Sequence, residues 1–157
     1  RGYPLKALNK KMDLMAKKLR SIFNSQCKSP PVKNIYSEVF IKSLNALTFN
    51  IAALVYEQNN KLLNKNKKAN EIIKKISLEG ESIIESLGVK HYQSYKKRIK
   101  QTFSSSVHTM SMLNDFKNGK KVELKYLWNS FLLVSKLSNI KMPYTKKIYQ
   151  ELIKKLK

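Results

Sequence analysis

The sequence predicts an all-α protein. Apolar residues recur at spacings of three and four along most of the 157 residues, which is the repeat of an amphipathic helix. Patterns that alternate apolar and polar residues, as a half-buried strand requires, are scarce. Only four glycines interrupt the chain. Together these observations favour a helical bundle.

Two helices are expected in the first third of the chain, on either side of a loop at residues 25–31. The first helix ends before this loop, because the prolines at 30 and 31 cannot continue it. Its apolar stripe consists of Met12, Met15, Leu19, Ile22 and Phe23. The second helix runs from Val32 to about Tyr56 and is apolar over much of its circumference. Such a helix typically lies at the centre of a bundle.

The rest of the chain contains further helical patterns. One helix is expected from about Lys67 to Leu87, where Gly88 provides the C-terminal stop and Gly80 interrupts the pattern. The remaining predicted segments are 92–103, 109–116, 123–137 and 144–156. Short polar or glycine-containing loops separate them, which completes the bundle.

Several kinds of site are excluded by composition. A lone Cys27 rules out a disulfide framework and a cysteine-based metal site, and His91 and His108 lie far apart without clustered ligands, so no metal is expected. The glycine-rich loops that hold dinucleotide phosphates are absent. The longest uninterrupted apolar run, Ile51–Tyr56, is far shorter than a membrane span. We therefore expect no membrane partner and a cytoplasmic protein.

The net charge of +22 suggests a polyanionic partner, but its distribution weakens that interpretation. Nearly all of the surplus is lysine rather than arginine, and asparagine and isoleucine are also abundant, as in a general compositional bias. The surplus collects in segments 1–33, 61–78 and 137–157, and is almost absent from 34–60 and 102–119. Chemistry is therefore expected in the latter two segments, and nucleic acid is the less favoured partner.

Polar side chains interrupt the apolar helices in these two segments or close to them. Lys42, Asn45 and Asn50 lie on the central helix, and the first and last of these are about 80° apart at 100° per residue. Ser111 and an aspartate at 115 lie in the second segment, and Glu123 follows shortly after it. An ordinary structural explanation stays open, in which these groups cap helices or pair with lysines.

These residues belong to a recognisable series of motifs. Segments 111–115, 119–123 and 139–143 resemble the S-M-x-x-D, G-[KR]-x-x-E and G-[IV]-x-x-P motifs of the C-terminal domain of ketopantoate reductases. Lys42 and Asn50 are similarly placed to the first and last residues of that family's K-x-x-x-N-x-x-x-N helix. The resemblance extends from about Val32 to Lys157, and the order and spacing of the motifs make it specific.

Enzymes of this family reduce 2-dehydropantoate to pantoate with NADPH, a step toward pantothenate and coenzyme A. They join an N-terminal Rossmann domain to an all-α domain. The resemblance implies that residues 32–157 are the all-α substrate and catalytic domain, and that residues 1–31 end the preceding domain or connect the two. Since the chain begins with Arg1, we expect a fragment that lacks the Rossmann domain, is inactive alone and associates as a possible homodimer.

The resemblance also implies roles for individual residues. Lys42 would protonate the ketone oxygen, and Glu123 would orient or hydrogen-bond the reacting centre, so these two are the candidate catalytic residues. Asn50 would hydrogen-bond the substrate, and Ser111 would bind it near its carboxylate. Asn45 is the third candidate substrate-binding residue.

Several positions depart from the family pattern, and two of them lie close to candidate site residues. Ala46 occupies the place of the first asparagine of the helix, so Asn45 lies one residue earlier, about 100° around it. His108 stands three residues before the serine, where the family often has asparagine. A related 2-oxo acid therefore stays open as the substrate, and so does an enzyme of weakened activity. The alternatives of a different class are a basic helical module that binds RNA or another polyanion without catalysis, and a purely structural bundle.

Overall fold

The structure, a computed structural model, describes residues 4–89, 94–104 and 109–156. Within these ranges it contains eight α-helices, one short 3-10 helix and a single isolated parallel bridge between Leu5 and Pro31. The predicted all-α class is confirmed. The helices are α1 (Asp13–Gln26), α2 (Ile35–Tyr56), α3 (Asn60–Lys65), α4 (Lys67–Ser86), α5 (Tyr95–Ser104), α6 (Ser111–Lys117), α7 (Leu124–Ser138) and α8 (Pro143–Lys155). The chain divides into two compact units, residues 1–39 and residues 40–157.

The first unit contains the 3-10 helix Lys10–Met12 and α1. The Asn9 carboxamide oxygen accepts a hydrogen bond of 3.1 Å from the Met12 amide, which satisfies an otherwise free donor at the helix start. α1 has the predicted apolar stripe, and it continues to Gln26, two residues beyond the predicted end, because the prolines restrict only the residues next to them. None of its residues is buried.

α2 supplies much of the core of the second unit, as the sequence predicts for a central helix. Its N-terminal amides are capped by the Asn34 side chain, whose oxygen accepts a hydrogen bond of 2.9 Å from the Tyr36 amide. Its fully or almost fully buried apolar residues are Leu44, Leu47, Phe49, Ile51, Ala52, Ala53 and Leu54. The burial of an entire run of residues explains why this stretch is apolar on every side.

By length and composition, α2 would also be able to cross a membrane. The sequence prediction considered only uninterrupted apolar runs and therefore overlooked this helix, in which polar residues are interspersed. Half of its most apolar 18-residue window is buried inside the protein. That burial is the behaviour of a core helix.

α4 is the helix around which the second unit is arranged, and it packs against α3, α5, α7 and α8. It is continuous through Gly80, at which a Cβ atom would overlap the Cδ1 atom of Leu44. The glycine therefore allows α2 and α4 to approach closely, and this packing compensates for its low helix propensity. Gly88, with φ of +68°, ends the helix as predicted.

α3 is a short helix that the sequence analysis did not predict. Its first amides are capped by Asn59, whose side-chain oxygen accepts a hydrogen bond of 3.1 Å from Leu62. Leu63 is its one buried apolar residue. A six-residue helix with a single core contact has no apolar period to detect, so only the capping asparagine could have indicated it.

The start of α8 is held by a side chain from another helix. The carboxylate of Glu79, on α4, accepts hydrogen bonds of 2.8 Å from the amides of Tyr144 and Thr145 and one of 2.6 Å from the Thr145 hydroxyl. A carboxylate at a helix N-terminus satisfies free amides and interacts favourably with the helix dipole. Further along, Tyr149 stacks on Trp128 of α7 with ring centroids 5.0 Å apart, and burial raises the pKa of the Tyr149 hydroxyl.

Candidate active site

Lys42 is an exposed residue of α2 and belongs to the second unit. No hydrogen bond or ion pair in the described part of the chain occupies its ammonium group. A helical rise of about 1.5 Å per residue places Asn50 roughly 12 Å further along α2. The two side chains are thus separated by about two turns, and a ligand that meets both must extend along the helix.

Asn50 is the candidate residue with the most unusual hydrogen bonding. It is only 5% exposed, and its Nδ2 donates a hydrogen bond of 2.8 Å to the carbonyl oxygen of Ala46. The reverse orientation of the amide would set two acceptor oxygens against each other, so Oδ1 must face away from this carbonyl. No donor among the described residues reaches Oδ1. Buried acceptors are usually satisfied, so this buried oxygen without a donor is an exception.

Asn45 is held by a residue that the sequence analysis did not select. Its Oδ1 accepts a hydrogen bond of 2.6 Å from Nη1 of Arg98, on α5. Nη2 of the same guanidinium donates to a carboxylate oxygen of Glu81, on α4, and forms a buried ion pair with it. Arg98 is 3% exposed, and its Nε has no partner among the described residues. This buried cluster joins α2, α4 and α5 and leaves the Asn45 amide nitrogen as a donor.

One sequence signal could have identified Arg98. Arginine occurs only at positions 1, 20 and 98 in a chain whose surplus charge is otherwise lysine. A guanidinium donates several hydrogen bonds in a fixed plane and is less strongly hydrated than an ammonium, so it suits a buried cluster. A rare arginine within a lysine-rich sequence is therefore a useful indication of a specific structural role.

The second candidate set lies around α6 and α7. Ser111 is the first residue of α6 and is exposed. Glu123 directly precedes α7 and is also exposed, with no capping hydrogen bond from its side chain. Asp115 is half-buried, and its backbone carbonyl accepts a hydrogen bond of 2.8 Å from the Lys120 amide. Neither capping by the Asp115 side chain nor an ion pair with lysine is observed among the described residues.

The turns in the motif loops have a clear physical basis. Gly119 has φ of +67°, which allows the turn after α6, and Asn139 has φ of +54° in the turn after α7. Asparagine is among the few residues other than glycine that adopt this left-handed conformation readily, so Asn139 can replace the motif's glycine. Pro143 then takes the first position of α8, where its missing amide proton is not needed.

Among the described residues, no hydrogen bond links two of the predicted site residues to each other. Asn45 belongs to the Arg98 cluster, and Asn50 lies further along the same helix. No hydrogen bond or ion pair within the described ranges joins Lys42, Ser111 and Glu123 to one another. His108 and His91 lie outside the described residues. The assignment of these side chains to one active site stays a prediction.

Dinucleotides are typically bound by a glycine-rich turn that leads into a helix and holds the phosphates. The described residues contain no such turn. Gly80 is packed inside α4, and Gly88 and Gly119 end helices rather than begin them. The described chain therefore does not fit a nicotinamide dinucleotide by itself.

These features agree with one known family, whose sequence model, "Ketopantoate reductase PanE/ApbA C terminal", matches residues 34–156. The chain belongs to this family. The resemblance of the motifs is therefore confirmed, and residues 34–156 form the C-terminal domain that defines this family. No curated protein matches the chain.

Solved structures of ketopantoate reductases and a related dehydrogenase share the fold. D-mandelate dehydrogenase, in a ternary structure with NADH and anilino(oxo)acetate, has a TM-score of 0.85 at 20% identity over 99% of this chain and 52% of its own. A 2-dehydropantoate 2-reductase from Methylococcus capsulatus has a TM-score of 0.78 at 16% identity over 96% of this chain and 47% of its own.

A PanE/ApbA family ketopantoate reductase from Ralstonia eutropha JMP134 has a TM-score of 0.75 at 13% identity over 96% of this chain and 49% of its own. The ketopantoate reductase-like chain thus spans about half the length of these solved relatives. Their likeness supports the shared fold, and the substrate differs among them by their own descriptions.

Proposed function

We propose that this chain is the substrate-binding half of an NADPH-dependent enzyme that reduces a 2-oxo acid to a 2-hydroxy acid. The proposed substrate is 2-dehydropantoate, which would place the enzyme in the pantothenate and coenzyme A pathway in the cytoplasm. The family membership supports the reaction class. The named substrates of two solved relatives, D-mandelate and 2-dehydropantoate, are a 2-hydroxy acid and a 2-oxo acid.

The observation that carries the proposal is the free acceptor of Asn50. A buried carboxamide oxygen without a donor favours a ligand that brings an O–H group. 2-Dehydropantoate has a primary hydroxyl group that could fill this role, whereas an aryl 2-oxo acid has no such donor. Asn50 therefore favours a hydroxylated aliphatic substrate over an aryl one.

The charged residues supply the chemistry of the carbonyl in this proposal. The Lys42 ammonium donates a proton to the ketone oxygen as negative charge develops there. Ser111 and the amide nitrogen of Asn45 donate hydrogen bonds to the substrate carboxylate, and Glu123 orients the reacting centre. Because Arg98 occupies the oxygen of Asn45, that amide presents only N–H groups, which suits an anionic substrate.

NADPH supplies the hydride when bound, and the proposal assigns its binding to a Rossmann domain rather than to this chain. The chain's own residues bind the oxo acid, hold its orientation and deliver the proton. A homodimer is part of the same proposal, and sedimentation of the full-length enzyme would measure it. The isolated chain is expected to lack reductase activity.

The proposal is tested with the full-length protein that contains this chain. NADPH oxidation would be measured with 2-dehydropantoate and with phenylglyoxylate, and the first should be preferred. Lys42→Ala should lower kcat by about 10²–10⁴-fold, which is the usual contribution of a positioned acid. Lys154→Ala removes an exposed lysine of α8 as the matched control and should leave kcat unchanged. An undiminished kcat in Lys42→Ala would refute the assigned role.

A further inference from the structure

A groove in the second unit, whose lining includes none of the residues of the proposed active site, has no assigned role. It opens between α5 and the α3–α4 junction, and its volume is about 510 Å³. That volume lies in the range of pockets that bind small organic groups. The floor is formed by Tyr95, Ile99 and Phe103, which recur every four residues along one face of α5. Arg98 points from a different face, into the buried cluster.

The floor of the groove is held in place by the core. Phe103 packs edge-to-face against Phe49 of α2, with ring centroids 5.5 Å apart. The Asn60 side chain also donates a hydrogen bond of 3.4 Å to the Thr102 carbonyl, which ties α5 to the start of α3. The groove therefore offers a preformed apolar surface, with the half-buried Tyr95 at one end.

The sides of the groove are positively charged. Lys96 and Lys100 lie one turn apart on α5, and no described carboxylate forms an ion pair with either. The lining contains no aspartate or glutamate. Helical spacing places Lys67 and Lys74 on the same face of α4 as Asn70, which lines the groove, so positive charge continues beyond it.

A fixed hydrogen-bond acceptor completes the lining. Nδ2 of Asn70 donates to the carbonyl oxygens of Leu63, Asn64 and Asn66 at 3.1, 3.0 and 2.9 Å. These three acceptors fix the orientation of the amide, and no described donor reaches its Oδ1. The groove thus combines an aromatic surface, two ammonium groups and one oriented acceptor.

We propose that this groove binds one nucleotide unit of a single-stranded nucleic acid. The base lies against Tyr95 and presents an N–H group to Asn70, and the adjoining phosphates contact Lys96 and Lys100. Proteins that bind single strands combine a positively charged groove with aromatic side chains on which bases stack. Arginine is not required, because a lysine ammonium also neutralises a phosphate. An acidic peptide would satisfy the lysines but would not use the aromatic surface. The proposal assigns a role to part of the positive charge and is independent of the reductase function.

The test measures binding of a fluorescein-labelled 12-nucleotide oligo(U) to the complete 157-residue chain by fluorescence anisotropy over a range of salt concentrations. Lys96→Gln/Lys100→Gln should weaken binding and reduce the salt slope by about 0.7 for each lost phosphate contact. The matched control is Lys146→Gln/Lys147→Gln, which removes the same charge from exposed positions on α8. An equal effect of the two double variants would show that net charge alone binds, and would overturn the proposal.

Stacking is tested with a second matched pair. Tyr95→Ala should lower affinity about 5- to 150-fold, whereas Tyr126→Ala, at an exposed position of α7, should not change it. Tyr95→Phe retains the ring and should bind like the unchanged chain. A duplex of the same length should bind more weakly, since its bases are not available. The proposal would be overturned if the duplex bound as tightly as the single strand, or if polyglutamate competed as well as unlabelled oligo(U). If Tyr95→Ala does not fold, the comparison of the two double-lysine variants decides.

Discussion

α1 and α4 have the same kind of sequence and very different environments. Both helices are amphipathic, with apolar residues at three- and four-residue spacing. In α4, nine residues are buried against neighbouring helices. In α1, none is buried, and Leu19 and Ile22 on its apolar stripe are 42% and 65% exposed.

The comparison shows that forming an amphipathic helix and burying its apolar face are separate properties. The spacing of apolar residues predicts that a helix forms and which of its faces is apolar. It does not predict what covers that face, because the covering residues come from distant parts of the sequence. α4 also binds polar groups of other elements through Glu79 and Glu81, whereas every carboxylate and lysine of α1 is exposed. The stability of the chain should therefore depend on α4 far more than on α1.

The largest loss of stability should follow from breaking the buried cluster. Glu81→Ala removes the carboxylate that pairs with the guanidinium of Arg98 and leaves that charge buried with Asn45 alone. An uncompensated buried charge costs about 3–5 kcal/mol. Urea denaturation followed by circular dichroism would measure the change in the free energy of unfolding.

Glu71→Ala is the matched control on the same helix. Glu71 pairs with Lys75 at 2.7 Å, but both side chains are about half exposed. The hydrogen bond from Lys75 lowers the pKa of the Glu71 carboxyl, so its small stabilisation is present above the ordinary pKa and is lost on acidification. If the two variants lost equal stability, the buried cluster would not have the importance assigned to it.

A smaller loss is expected at the start of α8. Glu79→Ala removes the acceptor of two backbone amides and one hydroxyl, and should lower the free energy of unfolding by about 1–3 kcal/mol. Hydrogen exchange should accelerate first at the amides of Tyr144 and Thr145. Glu151→Ala, an exposed position on α8, should leave both quantities nearly unchanged, and faster exchange in that variant would argue against the specific cap.

The smallest effect is expected in α1. Leu19→Ala should change the free energy of unfolding of this chain by no more than about 0.5 kcal/mol, because its side chain contributes little buried area. A loss of 2–5 kcal/mol, as for a buried leucine, would show that the α1 stripe is covered in solution. Thermal and urea unfolding at several protein concentrations would also detect cover by a second copy.

Much of the fold could be predicted from the sequence, since most helix bounds agree within two or three residues. The short α3 was missed because it contains one core residue and no period. The continuity of α4 through Gly80 was uncertain because the compensating Leu44 is 36 positions away in the sequence. Local signals locate helices, and contacts between distant segments decide how they pack.

The candidate site was predicted from motifs rather than from geometry. The hydrogen bond between Arg98 and Asn45 spans 53 positions, so no local pattern could indicate it. The free acceptor of Asn50 is also a property of the folded chain, because the Ala46 carbonyl fixes the amide. The sequence therefore identified positions, and the fold determined which atoms of each side chain are available.

The close approach of Gly80 and Leu44 makes these two positions dependent on each other through evolution. Among related chains, an alanine or serine at position 80 should occur mainly with a residue smaller than leucine at position 44, because both cannot fill the same space. The pair should therefore exchange together, and a collection of homologous sequences would record this as correlated substitution. Such a correlation would identify the α2–α4 contact in relatives for which no structure exists.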